Sequence, residues 1–297
     1  MPTHLITALT SRAIATHLAD ILMEGAHTLD LTATGAFEQA PPDWRFEAWL
    51  PEAPDMAEWA RAVGDILGDE AKLISFEHRT VEDEDWVQMG LDDLPPVRVG
   101  RFVVFGAHDQ HKARVNEIQL RVEASAAFGT GHHGTTAGCL SAIERRVRLA
   151  LSRGERGLTC LDVGTGTGVL GLAFAKALKR PVISGDNDAD AVRIALENSM
   201  INGARGLFSS YLAAGTRHPA IRAGAPYDVV IANILAGPLV ALAGDFAVAT
   251  KRGGTLILSG LLSWQARWIT AIYAAQGFRL ERRHIIGDWA TLTLIRR

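Results

Sequence analysis

With 297 residues, a hydrophobic fraction of 48% and a formal charge of -3, the chain can pack one large or two modest domains, which excludes a globally disordered protein. Its two cysteines, Cys139 and Cys160, sit in apolar patterns without a CxxC partner. They are expected as buried free thiols in a reducing compartment, not as a disulfide or a metal pair.

The small net charge hides an asymmetry. Residues 1–90 hold 5 Lys+Arg against 17 Asp+Glu, a net of -12, and the remainder holds 25 against 16, a net of +9. The acidic part reads either as a solvated surface or as a module that attracts a basic partner. In the basic part the arginines are scattered along the chain without interleaved aromatics, so no direct nucleic-acid role is expected. Arg12, His17 and Asp20 interrupt the first apolar segment, and no run approaches the length of a membrane span. The expectation is a cytoplasmic protein without membrane contact.

In chain order, residues 3–9 read as a strand, and Ser11 caps a helix whose apolar face is Ile14, Leu18, Ile21 and Leu22. Thr28–Ala33 and Arg45–Leu50 read as the second and third strands, joined through Pro41-Pro42. Asp55 and Glu58 form a capping-box pattern ahead of a helix with Met56, Trp59, Val63, Ile66 and Leu67 on one face, and these read as core. Lys72–Arg79 reads as a fourth strand. The order β-α-β-β-α-β predicts a ferredoxin-like α+β unit over residues 1–80. Residues 81–115 read as a linker, with Pro95-Pro96 against continuous helix, although Phe102–Phe105 has strand character. Ile118–Val122 reads as a strand by alternation. Ala127–Thr136, AFGTGHHGTT, is either a helix-capping loop, with Thr135 or Thr136 as the cap, or a ligand lid. It precedes a helix carrying Leu140, Ile143 and Val147. Neither His132-His133 nor His108 and His111 has the further ligands a metal would need, and no metal is expected.

From Thr159 the pattern alternates between strand and helix. Strands are expected at Thr159–Val163, Pro181–Gly185, Leu207–Leu212, Asp228–Ala232 and Thr255–Ser259. Helices are expected from Val169 to about Leu178, around Ala191, Ile194, Ala195 and Asn198, over Pro238–Ala249 and over Ser263–Ala275. Phe278–Ile286 and Trp289–Ile295 flank the Gly287-Asp288 hairpin turn. Such alternation predicts a mostly parallel, Rossmann-like sheet with helices on both faces, closed by one antiparallel strand. Asp188 and Asp190 suit the start of their helix, where the dipole favours negative charge.

The stretch Cys160–Gly171, CLDVGTGTGVLG, places Gly164, Gly166 and Gly168 between a strand and a helix, which is where a nucleotide-like ligand meets backbone amides and a helix N-terminus. No Gly-Lys-Ser/Thr follows, so it is not an ATPase phosphate loop, and Val169 stands where a dinucleotide fingerprint needs glycine. Asp186, 22 residues after Gly164 at the end of the next strand, suits a ribose, since a carboxylate accepts from two hydroxyls. Asn233, at another strand end, reads as a ligand group or a helix N-cap.

Asp162–Gly168 with Asp186 resembles the cofactor loop of class I S-adenosylmethionine methyltransferases. The segments 127–136 and 232–239 (ANILAGPL) resemble signatures of the PrmA family, bacterial methyltransferases of large-subunit ribosomal protein eleven, and so do Glu84-Asp85-Trp86 and Gly287-Asp288-Trp289. The likeness spans roughly residues 80–297. One departure is Gly134, where many members have proline. The resemblance implies a class I methyltransferase domain over residues 116–297 and a substrate-recognition role for the ferredoxin-like unit. It implies S-adenosylmethionine as cofactor, with Thr136, Gly164, Asp186 and Asn233 at its contact positions. Asp162 and Gly166 of the same loop go with them. It implies methyl transfer to lysine ε-amines, and to the N-terminal α-amine, of that ribosomal protein. Asn233 is expected to position the amine, with Phe128 shaping its pocket and no dedicated general base. The alternatives are methylation of another protein lysine or a small amine, and a non-catalytic cofactor-binding factor in ribosome assembly.

Overall fold

The computed structural model describes residues 3–23, 29, 31, 33–38, 43–81, 97–106, 114, 116–122, 133–155 and 157–297. The chain divides into two units, Met1–Met89 and Gly90–Arg297.

In the first unit, β1 (Thr3–Thr10), α1 (Arg12–Met23), β2 (Ala33–Glu38), β3 (Trp44–Leu50), α2 (Met56–Leu67) and β4 (Glu77–Val81) follow one another. The sheet is antiparallel throughout, in the order β2-β3-β1-β4, the ferredoxin-like arrangement. Ser11 accepts from the Ile14 amide at 3.4 Å, and Asp55 accepts from the Ala57 amide at 2.8 Å, so both expected caps form. Ile6, Leu18, Leu22, Phe46, Trp59 and Val63 make one core. Trp59 lies edge-on to Phe76 at 5.6 Å and is a packing residue, as its helical spacing predicts.

Two expected strands move. The second begins at Ala33, not at Thr28, because Leu29 and Leu31 pack onto the core ahead of the ladder, and the residues that pair with β3 are Ala33–Glu38. The fourth begins at Glu77, because the chain leaves α2 through Gly68, at φ 58, into a 3-10 turn over Gly68–Leu73. Pro41-Pro42 and residues 82–96 lie outside the described residues.

The second unit holds two sheets. Val97–Val99 (β5), Phe102–Phe105 (β6) and Ile118–Arg121 (β7) form a small one, in which β5 pairs with β6 antiparallel and β6 with β7 parallel. The sheet is latched to helix α3 (His133–Ser152) by Glu144, whose Oε1 accepts from Arg101 Nε at 3.0 Å and from Arg148 Nε at 2.8 Å.

The large sheet has seven strands. β8 (Cys160–Val163), α4 (Val169–Leu178), β9 (Val182–Asp186), α5 (Ala189–Ile201), β10 (Phe208–Leu212), α6 (Pro219–Gly224) and β11 (Tyr227–Asn233) come first. Then follow α7 (Ala236–Ala241), α8 (Ala243–Ala249), β12 (Thr250–Leu262), α9 (Ala266–Ala275), β13 (Phe278–Ile286) and β14 (Trp289–Arg296). The order is β10-β9-β8-β11-β12-β14-β13. The strands from β10 to β12 pair parallel, and β14 pairs antiparallel with both neighbours, the one reversed strand expected from the terminal hairpin.

Alternate residues of each strand face opposite layers. Val230, Ala232, Leu256 and Leu258 face one core with Phe246, Ile269 and Tyr273, whereas Val229, Ile231 and Ile257 face the other with Leu140, Ile143, Leu172 and Phe174. Cys139 and Cys160 are buried free thiols in that second core.

Four elements differ from expectation. The stretch 238–249 is two helices broken at Leu242, Pro219–Gly224 forms an extra short helix, and α9 starts at Ala266 after a turn. Strand β12 reaches back to Thr250, which pairs with Tyr227 across a bulge and so carries the ladder past Gly253-Gly254, ahead of the expected start at Thr255.

Candidate active site

The sheet order reverses between β8 and β11: from β8 the chain builds outward through β9 and β10, then returns to add β11 on the other side. Ligands of open α/β sheets bind at the carboxyl ends of strands beside such a point. The carboxyl ends of β8, β9 and β11 carry the glycine loop, Asp186 and Asn233.

Gly164, Gly166 and Gly168 take φ of 68, 52 and 82, conformations that side chains with a Cβ rarely adopt. A Cβ on Gly164 would also collide with the side chain of Ile234, the residue after Asn233, so the loop and the end of β11 are pressed together. Asp162 fixes the loop from below. Its Oδ2 accepts from Thr165 Oγ1 at 2.8 Å and from the Gly171 amide at 2.9 Å. Its Oδ1 is buried without a partner. Burial pushes the Asp162 pKa up to about 6, against the pull of those two hydrogen bonds, and neighbouring Asp186 adds to the rise.

Asp186 is nearly buried. Its Oδ2 accepts from the Gly166 amide at 2.8 Å and its Oδ1 from the Asp188 amide at 3.1 Å. Each bond takes one lone pair, so both oxygens keep capacity for a ribose hydroxyl. Asp188 caps α5 by accepting from the Asp190 amide, whereas Asp190 does not cap the helix: it lies in the first turn and pairs with Arg193.

Asn233 is not a helix cap. The cap of α7 is Leu235, which makes no side-chain bond there. The Asn233 Nδ2 donates to Thr135 Oγ1 at 3.3 Å, and its Oδ1 is buried without a partner. Helix α3 begins at His133, so Thr135 and Thr136 lie in its first turn and do not cap it. Both are buried, and Thr136 makes no side-chain hydrogen bond among the described residues.

Sequence reading gave two residues here other roles. Thr135, read as a possible cap, accepts from Asn233 at its hydroxyl and orients it. Asn198, fully buried on α5, donates from Nδ2 to the Thr167 carbonyl at 2.9 Å and holds the glycine loop from the side. The signal for Asn198 is an amide inside an otherwise apolar helical stripe. Phe128, His108, His111 and His132 lie outside the described residues. No cluster of three metal-ligating side chains occurs among the described residues.

The site therefore offers two buried acceptors without partners among the described residues, a carboxylate with free lone pairs and a cradle of left-handed glycines. This donor set fits a ligand with a ribose and a cationic amine. The sheet order and the likeness of fold define a class I methyltransferase fold. The family model described as "Ribosomal protein L11 methyltransferase (PrmA)" matches residues 3–297, and the chain belongs to that family. A relative of that description from Bradyrhizobium diazoefficiens is 40% identical over 295 residues, covering 99% of this chain and 97% of the relative. Another from Caulobacter sp. is 46% identical over 217 residues, 73% of each chain. Among solved structures, a ribosomal protein L11 methylase from Lactobacillus delbrueckii subsp. bulgaricus matches with TM-score 0.58 and 23% identity, over 69% of this chain and all of that one, a likeness of fold.

Proposed function

We propose that this protein is an S-adenosylmethionine-dependent methyltransferase of ribosomal protein L11, acting on lysine ε-amines and on the N-terminal α-amine. The observation that carries the reading is Asn233 Oδ1, an acceptor buried without a partner at the switch point beside the glycine loop. A buried amide oxygen without a donor is costly in a protein that has no ligand for it.

When bound, the cofactor supplies an electrophilic methyl on a sulfonium. Asp186 would hold the ribose hydroxyls through its free lone pairs, and Asp162 Oδ1 would accept from the amino-acid ammonium. Gly164 and Gly166 bring the backbone up to the ligand, and Thr136 adds a hydroxyl from the first turn of α3. Asn233 Oδ1 accepts an N–H of the incoming amine while Thr135 holds its other end, which fixes the direction of the nitrogen lone pair.

A free lysine has a pKa of about 10.4 and attacks only when neutral. Burial of the amine at this site disfavours its ammonium form. Proton loss then precedes attack, and alignment of nitrogen with the methyl provides the acceleration without a dedicated base.

Substrate choice belongs to residues 1–80, which carry most of the acidic excess and suit a basic ribosomal protein. The catalytic part takes in the second unit, Gly90–Arg297, including β5 and β6 of the stretch 81–115 that the sequence reads as a linker. No helix among the described residues is long and apolar enough to cross a membrane, and methylation of a ribosomal protein belongs in the cytoplasm.

Calorimetric titration with S-adenosylmethionine tests the site. The wild-type chain is expected to bind, and Asp186→Ala to bind at least tenfold more weakly. Equal affinity in the two would remove Asp186 from the ribose.

A further inference from the structure

A second site lies away from the glycine loop, where α3 packs against the terminal hairpin. Helix α3 presents small residues there: a Cβ on Gly138 would collide with the Thr291 hydroxyl, so the helix rides close over β14. Beside that approach is a notch of about 120 Å³ whose polar lining comes from Ser141 and Arg145 on the helix and from Arg282, His284 and Thr293 on the hairpin.

The strand is shaped to aim these groups. β13 is an edge strand of the seven-stranded sheet and bulges between Leu280 and Arg282. A bulge re-aims side chains. Leu280 packs with the core under α9, and past the bulge Arg282 and His284 face the α3 side instead, opposite Thr293 and Thr291. The bulged residue, Glu281, takes Arg145 Nη2 at 2.6 Å, which holds that guanidinium at the rim. Arg282 has no ion-pair or hydrogen-bond partner among the described residues, and neither do the side chains of Ser141 and Thr293.

A helix and a strand thus converge two guanidinium forks, two hydroxyls and an imidazole on one small volume. Guanidinium forks recognise oxyanions in two-point contact, and a tetrahedral anion has enough oxygens to use donors arriving from two walls. We propose that this notch binds a phosphate group, carried by an RNA backbone or present as free phosphate. The nearly neutral chain has its positive charge in this half, and the fold brings to one place arginines that are far apart in the sequence.

Three measurements on the full chain test this. Inorganic phosphate is titrated calorimetrically, acetate is titrated at matched ionic strength, and a fluorescein-labelled single-stranded RNA 12-mer is followed by anisotropy. The same is done with Arg282→Gln, Arg282→Glu and, as a milder change, Ser141→Ala. Phosphate is expected to bind more tightly than acetate, at least tenfold more weakly in Arg282→Gln and not measurably in Arg282→Glu, with unfolding midpoints unchanged. If RNA binding falls in the same variants and phosphate competes with it, the source is an RNA backbone. If phosphate binds and RNA does not, the source is free phosphate. No phosphate binding, affinity equal to that for acetate, or affinity indifferent to all three substitutions overturns the proposal. S-adenosylmethionine binding, measured alongside, reports separately on the methyltransferase site.

Discussion

Asp162 does two things at once. One oxygen ties the glycine loop to the first turn of α4, and the other is left bare in the interior. Its raised pKa, about 6, gives both roles a pH signature. Below about pH 6 the free protein holds this carboxyl neutral, so capture of a cationic amine must release a proton. Cofactor affinity is therefore expected to fall as pH drops through 6 and to level off above it. Calorimetry in buffers of different ionisation enthalpy checks this by counting the proton.

For stability the sign reverses. A carboxyl whose folded pKa lies above its unfolded value of 3.8 binds more protons in the folded state between the two, so its ionisation costs stability as pH rises from about 4 to 6. Asp162→Asn is expected to melt no lower than the wild type at pH 7 while binding cofactor more weakly. A lower melting point without loss of affinity would make Asp162 purely structural. Asn233→Ala is expected to reduce the turnover number by about 10²-fold, a larger effect than its weakening of cofactor binding, because it removes alignment of the amine. Single-turnover methyl transfer separates the two effects.

Among the elements, α3 has the most duties. Its first turn supplies Thr135 to Asn233, its middle packs on the sheet, and Glu144 anchors the small sheet through Arg101. Burial alone would raise the Glu144 pKa, but the hydrogen bonds and charges of Arg101 and Arg148 outweigh it and hold it below the usual range. Glu144→Ala leaves those guanidinium groups without their acceptor and is expected to cost roughly 1–3 kcal/mol, read as a drop of about 2–4 °C in melting temperature per kcal/mol. An unchanged melting curve would mean that apolar packing alone holds the small sheet.

The parts of the fold that carry the site were legible in the sequence. Gly164, Gly166 and Gly168 punctuate one strand end, Asp186 closes the next strand, and Asn202-Gly203 stops α5. Less legible were elements whose limits depend on a partner. The apolar alternation near Leu29 and Leu31 serves the core and not the ladder, so β2 starts later than its pattern suggests. Thr250 belongs to β12 only because Tyr227 lies opposite it.

Across the whole molecule, charge is divided unevenly. The acidic first part would suit a basic protein substrate, and the residues proposed to hold the cofactor lie in the second unit. A chain beginning at residue 90 is expected to bind S-adenosylmethionine as the full chain does and to lose transfer to L11. Transfer by the full chain is expected to weaken with added salt, since screening shortens the reach of charge to about 8 Å at physiological ionic strength. Full activity of the shortened chain on L11 would remove the recognition role from residues 1–80. The gathering of Arg145 and Arg282 beside His284 was invisible in the sequence, where the two arginines stand in separate segments and look like scattered surface charge. It exists only because the terminal hairpin folds back against α3 and bulges at Glu281.

The most direct test is transfer of methyl groups from isotopically labelled S-adenosylmethionine to purified ribosomal protein L11, followed by mass spectrometry of the product. The wild-type chain should place label on lysine side chains and on the N-terminal amine, and Asn233→Ala should place almost none. Cofactor binding by the wild type without any label on L11 would contradict the assignment.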